Sequence, residues 1–436
     1  MTLYFLCLPI AMMRYFARFI FPFPGFFFGT GGRMGRKGTG GRLKNQQKPF
    51  LNCELENANQ VRDQDLDRSW MDSVRQQLIA WYEESQRDFP WRRGNDPYRI
   101  LVSEMMLVQT TAAAVIPYFE RFLRRFPDVQ TLASADEADV LKAWEGLGYY
   151  RRARHLQAAA RTIVDRHAGQ MPRELDAVRA LPGVGRYVAG AILSFAFDLP
   201  APIVEANSQR VLARLLAWRG DLKTSASQTR LWTAAERLVP PREASKFNQA
   251  LMDLGALVCT PRSPACLLCP LASLCAARRL GIQDSVPVVT PRPRPLAVTE
   301  ACAVVVREGT VLVVQRSDGG LWSRFWEFPT INLEGADPAG RSCGASVSLS
   351  EGVERLTGIR VRVGPEIKTL TYAVTRHRVV LRVHLAQARS GSLQPGPGLV
   401  DARWVATAEL AELPLGSAAR RLAAWIHQNF QELSGH

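Results

Sequence analysis

Two carboxylates and four thiols are the groups in this chain whose setting points to chemistry. Glu104 is the single acid inside the run Tyr98 to Leu107, among Ile100, Leu101, Met105, Met106 and Leu107. Most helix acids face water, but one with apolar neighbours on both sides is desolvated, which raises a carboxyl pKa towards neutrality, as a general acid requires. Glu205 stands two positions before Asn207 and twenty after Gly185, in the stretch Leu181-Pro182-Gly183-Val184-Gly185-Arg186-Tyr187. Two glycines one residue apart behind a proline make a tight hairpin at a helix N-terminus, where free N–H groups and the helix dipole favour an anion such as a DNA phosphate. An anion clamp with an acid close behind it fits an enzyme acting on a nucleotide within a strand. The same stretch also suits a plain helix-turn-helix whose glycines only turn the chain. Cys259, Cys266, Cys269 and Cys275 are separated by six, two and five residues, with no His nearby. Four thiolates in one compact loop favour a structural zinc or an iron–sulfur cluster, and the single close pair leans to the cluster, since zinc ribbons usually pair two knuckles.

The elements that must position these groups read as helices from Trp70 to Val258. Val74, Leu78, Trp81 and Tyr82 fall at helical spacing between Met71 and Gln86. Phe89-Pro90-Trp91-Arg92 then breaks the helix, and Pro97-Tyr98 opens the next. A helix through Tyr118 and Phe122 reaches Phe126, and another spans Asp136 to Glu145 with Ser134 as its N-cap. Gly146-Leu147-Gly148-Tyr149-Tyr150 forms a glycine-hinged loop followed by Arg151, Arg152 and Arg154, a pattern suited to stacking on bases and neutralising phosphates, or simply to plugging a core. Further helices are predicted over His155 to His167, Glu174 to Ala180, Val188 to Ala196, Arg210 to Leu216, Thr229 to Val239 and Lys246 to Val258. Past Arg278, prolines 287, 291, 293 and 295 interleaved with Arg292 and Arg294 make a stiff basic linker. Strands follow at Ala301 to Val306 and Thr310 to Gln315 around Glu308-Gly309, then at Thr369 to Val374 and Val379 to Ala386, with helices at Ser348 to Leu356 and Leu415 to Phe430. An all-α domain is thus joined to an α+β one.

At 436 residues the chain has room for two or three domains, and its net charge of +15 favours a polyanionic partner. Of eight cysteines, Cys7, Cys53, Cys302 and Cys343 lie outside the cluster, which is no secreted disulfide framework and fits a reducing intracellular setting. Met1 to Phe28 is apolar but interrupted by Pro9, Arg14, Arg18, Pro22 and Pro24, so no membrane span is expected. Ending near small residues, it has the outline of a poor signal peptide; against that, no Lys or Arg precedes its apolar part. The Gly/Lys/Arg-rich tract Gly25 to Lys48 reads as disordered, and Met34 or Met71 would serve as alternative starts.

Taken together, Phe89-Pro90-Trp91, Ser103-Glu104-Met105-Met106-Leu107, Gly146-Leu147-Gly148-Tyr149-Tyr150, Leu181-Pro182-Gly183-Val184-Gly185, Phe247-Asn248-Gln249-Ala250 and the cysteine spacing resemble the adenine DNA glycosylases of the helix-hairpin-helix base-excision repair superfamily. The resemblance is strong from Trp70 to about Arg279 and weaker from 298 to 430, where it is to the family's Nudix-like domain. It implies four segments: an N-terminal extension over 1–68, a glycosylase domain over 69–285 with a [4Fe–4S] loop at 259–275, a linker over 286–297, and a lesion-recognition domain over 298–432. It implies removal of adenine opposite 8-oxoguanine or guanine in double-stranded DNA by a monomer, in the bacterial cytoplasm, or in the nucleus or mitochondrion of a eukaryote. Glu104 matches the acid that protonates adenine N7, and Glu205 stands where the family has the carboxylate that stabilises the oxocarbenium-like sugar, the logic of glycoside hydrolysis. Tyr187 and Asn207 match residues that orient the two acids. Trp91, Arg92 and Gln249 match the adenine pocket. Gln109 and Tyr149 match wedges that fill the gap left by the extruded base, and Thr110, Leu181, Gly183, Val184 and Gly185 match DNA contacts. Tyrosine at 187, where bifunctional relatives place a Schiff-base lysine, implies base removal without strand cleavage.

The chain also departs from that family. Its Asp-Gly-Asn is here Glu205-Ala206-Asn207, and the extra methylene displaces the carboxylate by roughly 1.5 Å, a misplacement that can cost about a hundredfold in rate. Val108 replaces the first of two glutamines. The Phe-Ser-His loop that reads 8-oxoguanine becomes Val374-Thr375-Arg376, where Thr375 keeps a hydroxyl and Arg376 a donor. Leu349 to Gly358 lacks the carboxylate set of a working Nudix helix, so no pyrophosphohydrolase activity is expected. The rival expectations are a thymine mismatch glycosylase of the same superfamily, which also has tyrosine at the 187 position, and a lesion-binding protein in which Glu205 fails at chemistry.

Overall fold

The computed structural model describes residues 67–288, 290, 294–319, 322–333 and 348–434. The expectations for Met1 to Phe28, Gly25 to Lys48 and the linker prolines 291 and 293 lie outside them. Among the described residues no helix is long and apolar enough to cross a membrane.

Every helix expected between Trp70 and Val258 is present, and the helices sort into two lobes by what they bury. One lobe has its core on helices Pro97–Leu107, Ala112–Arg125, Arg151–His167 and Arg186–Phe197, with Phe119, Phe122, Trp144 and Ile192 sealed inside. The other gathers Ala206–Leu215, Ser225–Leu238 and Ala244–Leu257 around the N-terminal helix Arg68–Ser85, whose Val74, Leu78 and Tyr82 face inward as their spacing predicts. Tyr187 packs against both cores, at the seam between the lobes.

Several ends differ from expectation for local reasons. Ser134 caps nothing: it closes a helix of its own, Val129–Ser134, started by Asp128, whose side chain accepts the Thr131 N–H at 2.7 Å. Asp136 is the residue before the Glu137–Ala143 helix. The helix expected from His155 begins four residues earlier, at Arg151, directly behind the Tyr149-Tyr150 loop.

Beyond the short helix Ala276–Arg279, β1 (Leu296–Arg307) opens a mixed sheet that has seven strands among the described residues. It continues with β2 (Thr310–Arg316), β3 (Trp326–Glu327), β4 (Thr330–Asn332), β5 (Ile359–Val374), β6 (His377–Gly391) and β7 (Leu399–Ala406). Strands run β3-β2-β1-β6-β5, with β4 also on β1 and β7 on β2; β1 and β6 are parallel, the other pairs antiparallel. Helix Leu349–Thr357 covers one face and Ser417–Ser434 the other. Burial on both faces explains why β1 reads as a near-continuous apolar run rather than an alternating one. Ser348 and Glu351 close a capping box on the first of these helices.

Candidate active site at the seam of the helical lobes

Glu104 projects from the middle of Pro97–Leu107 into a cleft of about 910 Å³ between the lobes. It is 2% exposed, and burial pushes its carboxyl up to about 7, against the opposing pull of the Tyr187 hydroxyl and Arg92. Tyr187 donates to its Oε2 at 2.6 Å. The same cleft is lined by Glu205, Asn207, Trp91, Arg92, Gln249, Gln109 and Thr110, so nine of the residues singled out from sequence, with Glu104 and Tyr187, meet in one place although they span over 150 positions.

Glu205 comes from the opposite lobe, as N-cap of Ala206–Leu215. The longer side chain folds back on its own helix: Oε2 accepts the Asn207 N–H and Oε1 the Ser208 N–H, each at 2.8 Å, and the Asn207 amide adds a bond at 3.3 Å. Burial raises its pKa, while the two main-chain donors and Arg210 pull it back. The cap is fastened from behind. Arg210 donates to the Asn207 side-chain carbonyl at 2.9 Å, to the Gly255 carbonyl at 2.6 Å and to the Cys259 carbonyl at 2.7 Å, joining the Glu205 cap to the main chain of the first cysteine of the loop. Gly255 permits the approach, since a Cβ there would lie 2.7 Å from that of Asn207.

Asp253 is the residue of this site that the sequence reading missed. It is fully buried and takes forks from two arginines: Arg92 Nη1 and Nη2 at 2.7 and 2.9 Å, and Arg87 Nε and Nη2 at 2.9 and 2.5 Å. Burial alone would push its carboxyl up, but Arg92 and Arg87 hold it below the usual range. The clamp fixes the Arg92 guanidinium over the Phe89 ring, itself stacked on Trp91 at 4.9 Å. Gln249 accepts from Tyr82 and donates to Ser245, both at 3.0 Å. A carboxylate between Met252 and Leu254 in a helical run carries the same signal that singled out Glu104.

At the mouth, Gln109 (φ 61°) and Tyr149 (φ 48°) both hold left-handed backbone, a conformation costing roughly 1–3 kcal/mol for a residue with a side chain. Arg152 explains how both persist. Expected from sequence to face phosphates, it turns inward instead, donating to the carbonyls of Met105 and Met106 (both 2.9 Å) and Val108, and to Gly148 at 3.3 Å. It therefore ties the end of the Glu104 helix to both loops, with Tyr149 left 55% exposed. In the hairpin Leu181 and Val184 are 2% and 6% exposed, so they offer main chain rather than side chain outward, while Gly183 and Gly185 are exposed. Gly183 sits at φ 76°, and a Cβ would strike His155 at 2.5 Å.

Cys259, Cys266, Cys269 and Cys275 ring one small cavity with Arg214 and Arg278. Among the described residues no three of them close on a single metal ion, while four thiols around one void are the donor set a larger inorganic cluster takes. Arg214, 2% exposed, contacts the Cys259 sulfur at 3.3 Å and donates to the Thr260 and Val286 carbonyls at 2.6 and 2.8 Å. Thr375 and Arg376 lie outside the cleft, exposed on the turn between β5 and β6, with Thr375 at φ 51°.

Residues 102–237 match the HhH-GPD superfamily of base excision DNA repair proteins, 259–275 the iron-sulfur binding domain of endonuclease III, and 301–425 the NUDIX domain. The adenine DNA glycosylase of Mus musculus is 33% identical over 407 residues, covering 80% of this chain and 77% of that one. That of Homo sapiens is 32% identical over 80% of this chain and 73% of its own length. That of Mycobacterium tuberculosis is 45% identical over 210 residues, 48% of this chain and 68% of the relative.

Proposed function

The chain belongs to the adenine DNA glycosylases of base excision repair, and from that premise we propose that it hydrolyses adenine from A opposite 8-oxoguanine or guanine without cleaving the strand. The single observation that carries this is the pairing in one cleft of a buried, proton-holding Glu104 with a Glu205 whose oxygens accept main-chain N–H groups. Among the described residues, the side-chain donor on Glu104 is a hydroxyl, which can turn to accept once the carboxyl carries a proton. N–H donors cannot turn, so they favour the Glu205 anion.

Glu104 protonates the extruded adenine at N7, so the base leaves neutral, and Tyr187 holds the carboxyl in place. Glu205 stabilises positive charge growing on the sugar, and Asn207 with Arg210 holds its cap. Trp91, Arg92 and Gln249 line the base pocket, Gln109 and Tyr149 fill the vacated stack, and Thr110 with the Gly183 and Gly185 amides takes phosphates. Tyr187 has no amine for a Schiff base. Thr375 and Arg376 read the base opposite. Cys259, Cys266, Cys269 and Cys275 hold a [4Fe–4S] cluster, which supplies a covalent staple for their loop. The active chain is a monomer.

The test uses duplexes carrying A opposite 8-oxoguanine, A opposite G, and T opposite G, followed by alkali to reveal abasic sites. We expect alkali-dependent cleavage of the A strand only. Cleavage of the T strand, or binding without any cleavage, would overturn the proposal.

A further inference from the structure

The loop carrying Tyr149 is gripped at both ends by the C-terminal domain. In front of it Glu145, its side chain 13% exposed, takes the Arg420 guanidinium in a two-pronged fork, Nε on one carboxylate oxygen and Nη2 2.8 Å from the other. Arg420 is itself held, donating to the Leu410 and Leu413 carbonyls at 2.7 and 2.5 Å. Behind the loop Tyr150 packs on Phe325, ring centroids 4.2 Å apart and planes tilted by 47°. Phe325 comes from the C-terminal domain, yet it is 1% exposed and completes the core of the first helical lobe. The Tyr150 hydroxyl accepts the Gly146 N–H at 3.2 Å.

Between these anchors the backbone has two glycine hinges, Gly146 at φ 98° and Gly148 at φ 70°. Such hinges give Tyr149 freedom to swing unless the residues on either side are fixed. Arg152 secures the loop from within the helical domain; Arg420 and Phe325 fix its two ends from outside it.

We infer that Glu145–Arg420 and Tyr150–Phe325 are positioning pairs through which the C-terminal domain sets where Tyr149 meets the duplex. The inference rests on Tyr149 being a wedge, as proposed above. It gives the domain that presents Thr375 and Arg376 a second role: it aims a probe belonging to the other domain. Two groups on one DNA site are then held in register by a charged fork and a tilted aromatic contact.

The experiment is a double-mutant cycle in the full chain: unmodified, Arg420→Ala, Tyr149→Ala and the pair, assayed by single-turnover adenine release from A opposite 8-oxoguanine. Arg420→Ala is expected to slow release by about tenfold, the scale of a sub-ångström misplacement. In the Tyr149→Ala chain the same change should cost less than about twofold, because the side chain it acts through is gone. Equal losses in both backgrounds, or no loss in the first, would overturn the inference. If Arg420→Ala does not fold, judged by its melt, Arg420→Lys replaces it in the cycle with the same criteria, since it keeps the charge and loses the fork. An unmodified chain that releases no adenine would instead remove the proposed function, and this inference with it.

Discussion

Glu104 and Glu205 are the same residue type lining one cleft, and on the function proposed above their neighbours divide the work between them. A glutamate unfolded in water ionises near 4.5, whereas Glu104 in the fold holds its proton to about 7. Between those values the unfolded chain sheds a proton that the folded chain keeps, so this residue erodes stability as pH rises through the window, by on the order of 3 kcal/mol in full. Glu104→Gln should therefore abolish adenine release while binding persists, and should raise the thermal midpoint at pH 8 but not at pH 4. A variant that melts lower at pH 8 would show that the buried acid is not a stability cost. Release by the unmodified chain should decline as pH rises through 7, as the acid form is lost. Glu205→Asp should keep or raise the rate, because aspartate also caps a helix well and removes the extra methylene. Complete loss in single-turnover assays would mean that the Ala206 backbone has been rebuilt around the longer side chain.

Helices and loops were readable where the signal is local, and unreadable where a partner lies far along the chain. Glu104 announced itself as an acid among apolar neighbours, and the thiols by their spacing. Asp253 carried the first signal too, but its meaning depends on Arg87 and Arg92, more than 150 residues earlier, which no periodicity links to it. Arg152 was misread for the same reason: beside Tyr149 it looks like a phosphate ligand, and only the fold brings the Met105 and Met106 carbonyls beneath it. Ser134 was misassigned because Asp128 starts a short helix whose six residues are too few to show a period. The inward turn of Arg152 yields a prediction at this scale. Arg152→Met should free Gln109 and Tyr149 from their left-handed backbone and slow adenine release by about a hundredfold, with a smaller loss in duplex affinity measured by anisotropy. Equal losses in both would reduce Arg152 to a DNA ligand.

At the scale of the whole molecule, the tip of the cysteine loop is poorly packed, although Leu271 behind it is buried in the second lobe's core. Leu267 and Leu268 are 89% and 76% exposed, and its only regular element is the single turn Cys266–Leu268. Stripping iron with a chelator should therefore loosen 259–275 before the helical lobes open, with Arg262 becoming the first new tryptic site. Persistence of the native digestion pattern after iron loss would show that Arg210 and Arg214 suffice to hold the loop.

The first strand of the sheet adds a constraint on how the two domains work together. The Leu296 N–H donates to the Arg376 carbonyl at 2.8 Å, and Leu296 pairs with His377. The polypeptide thus joins the second domain at the very turn proposed above to meet the opposite base, so the tether between domains attaches beside that turn rather than on the sheet's far side. On that proposal, lengthening or shortening the tether would shift the turn directly, making inter-domain spacing a determinant of which opposing base is accepted.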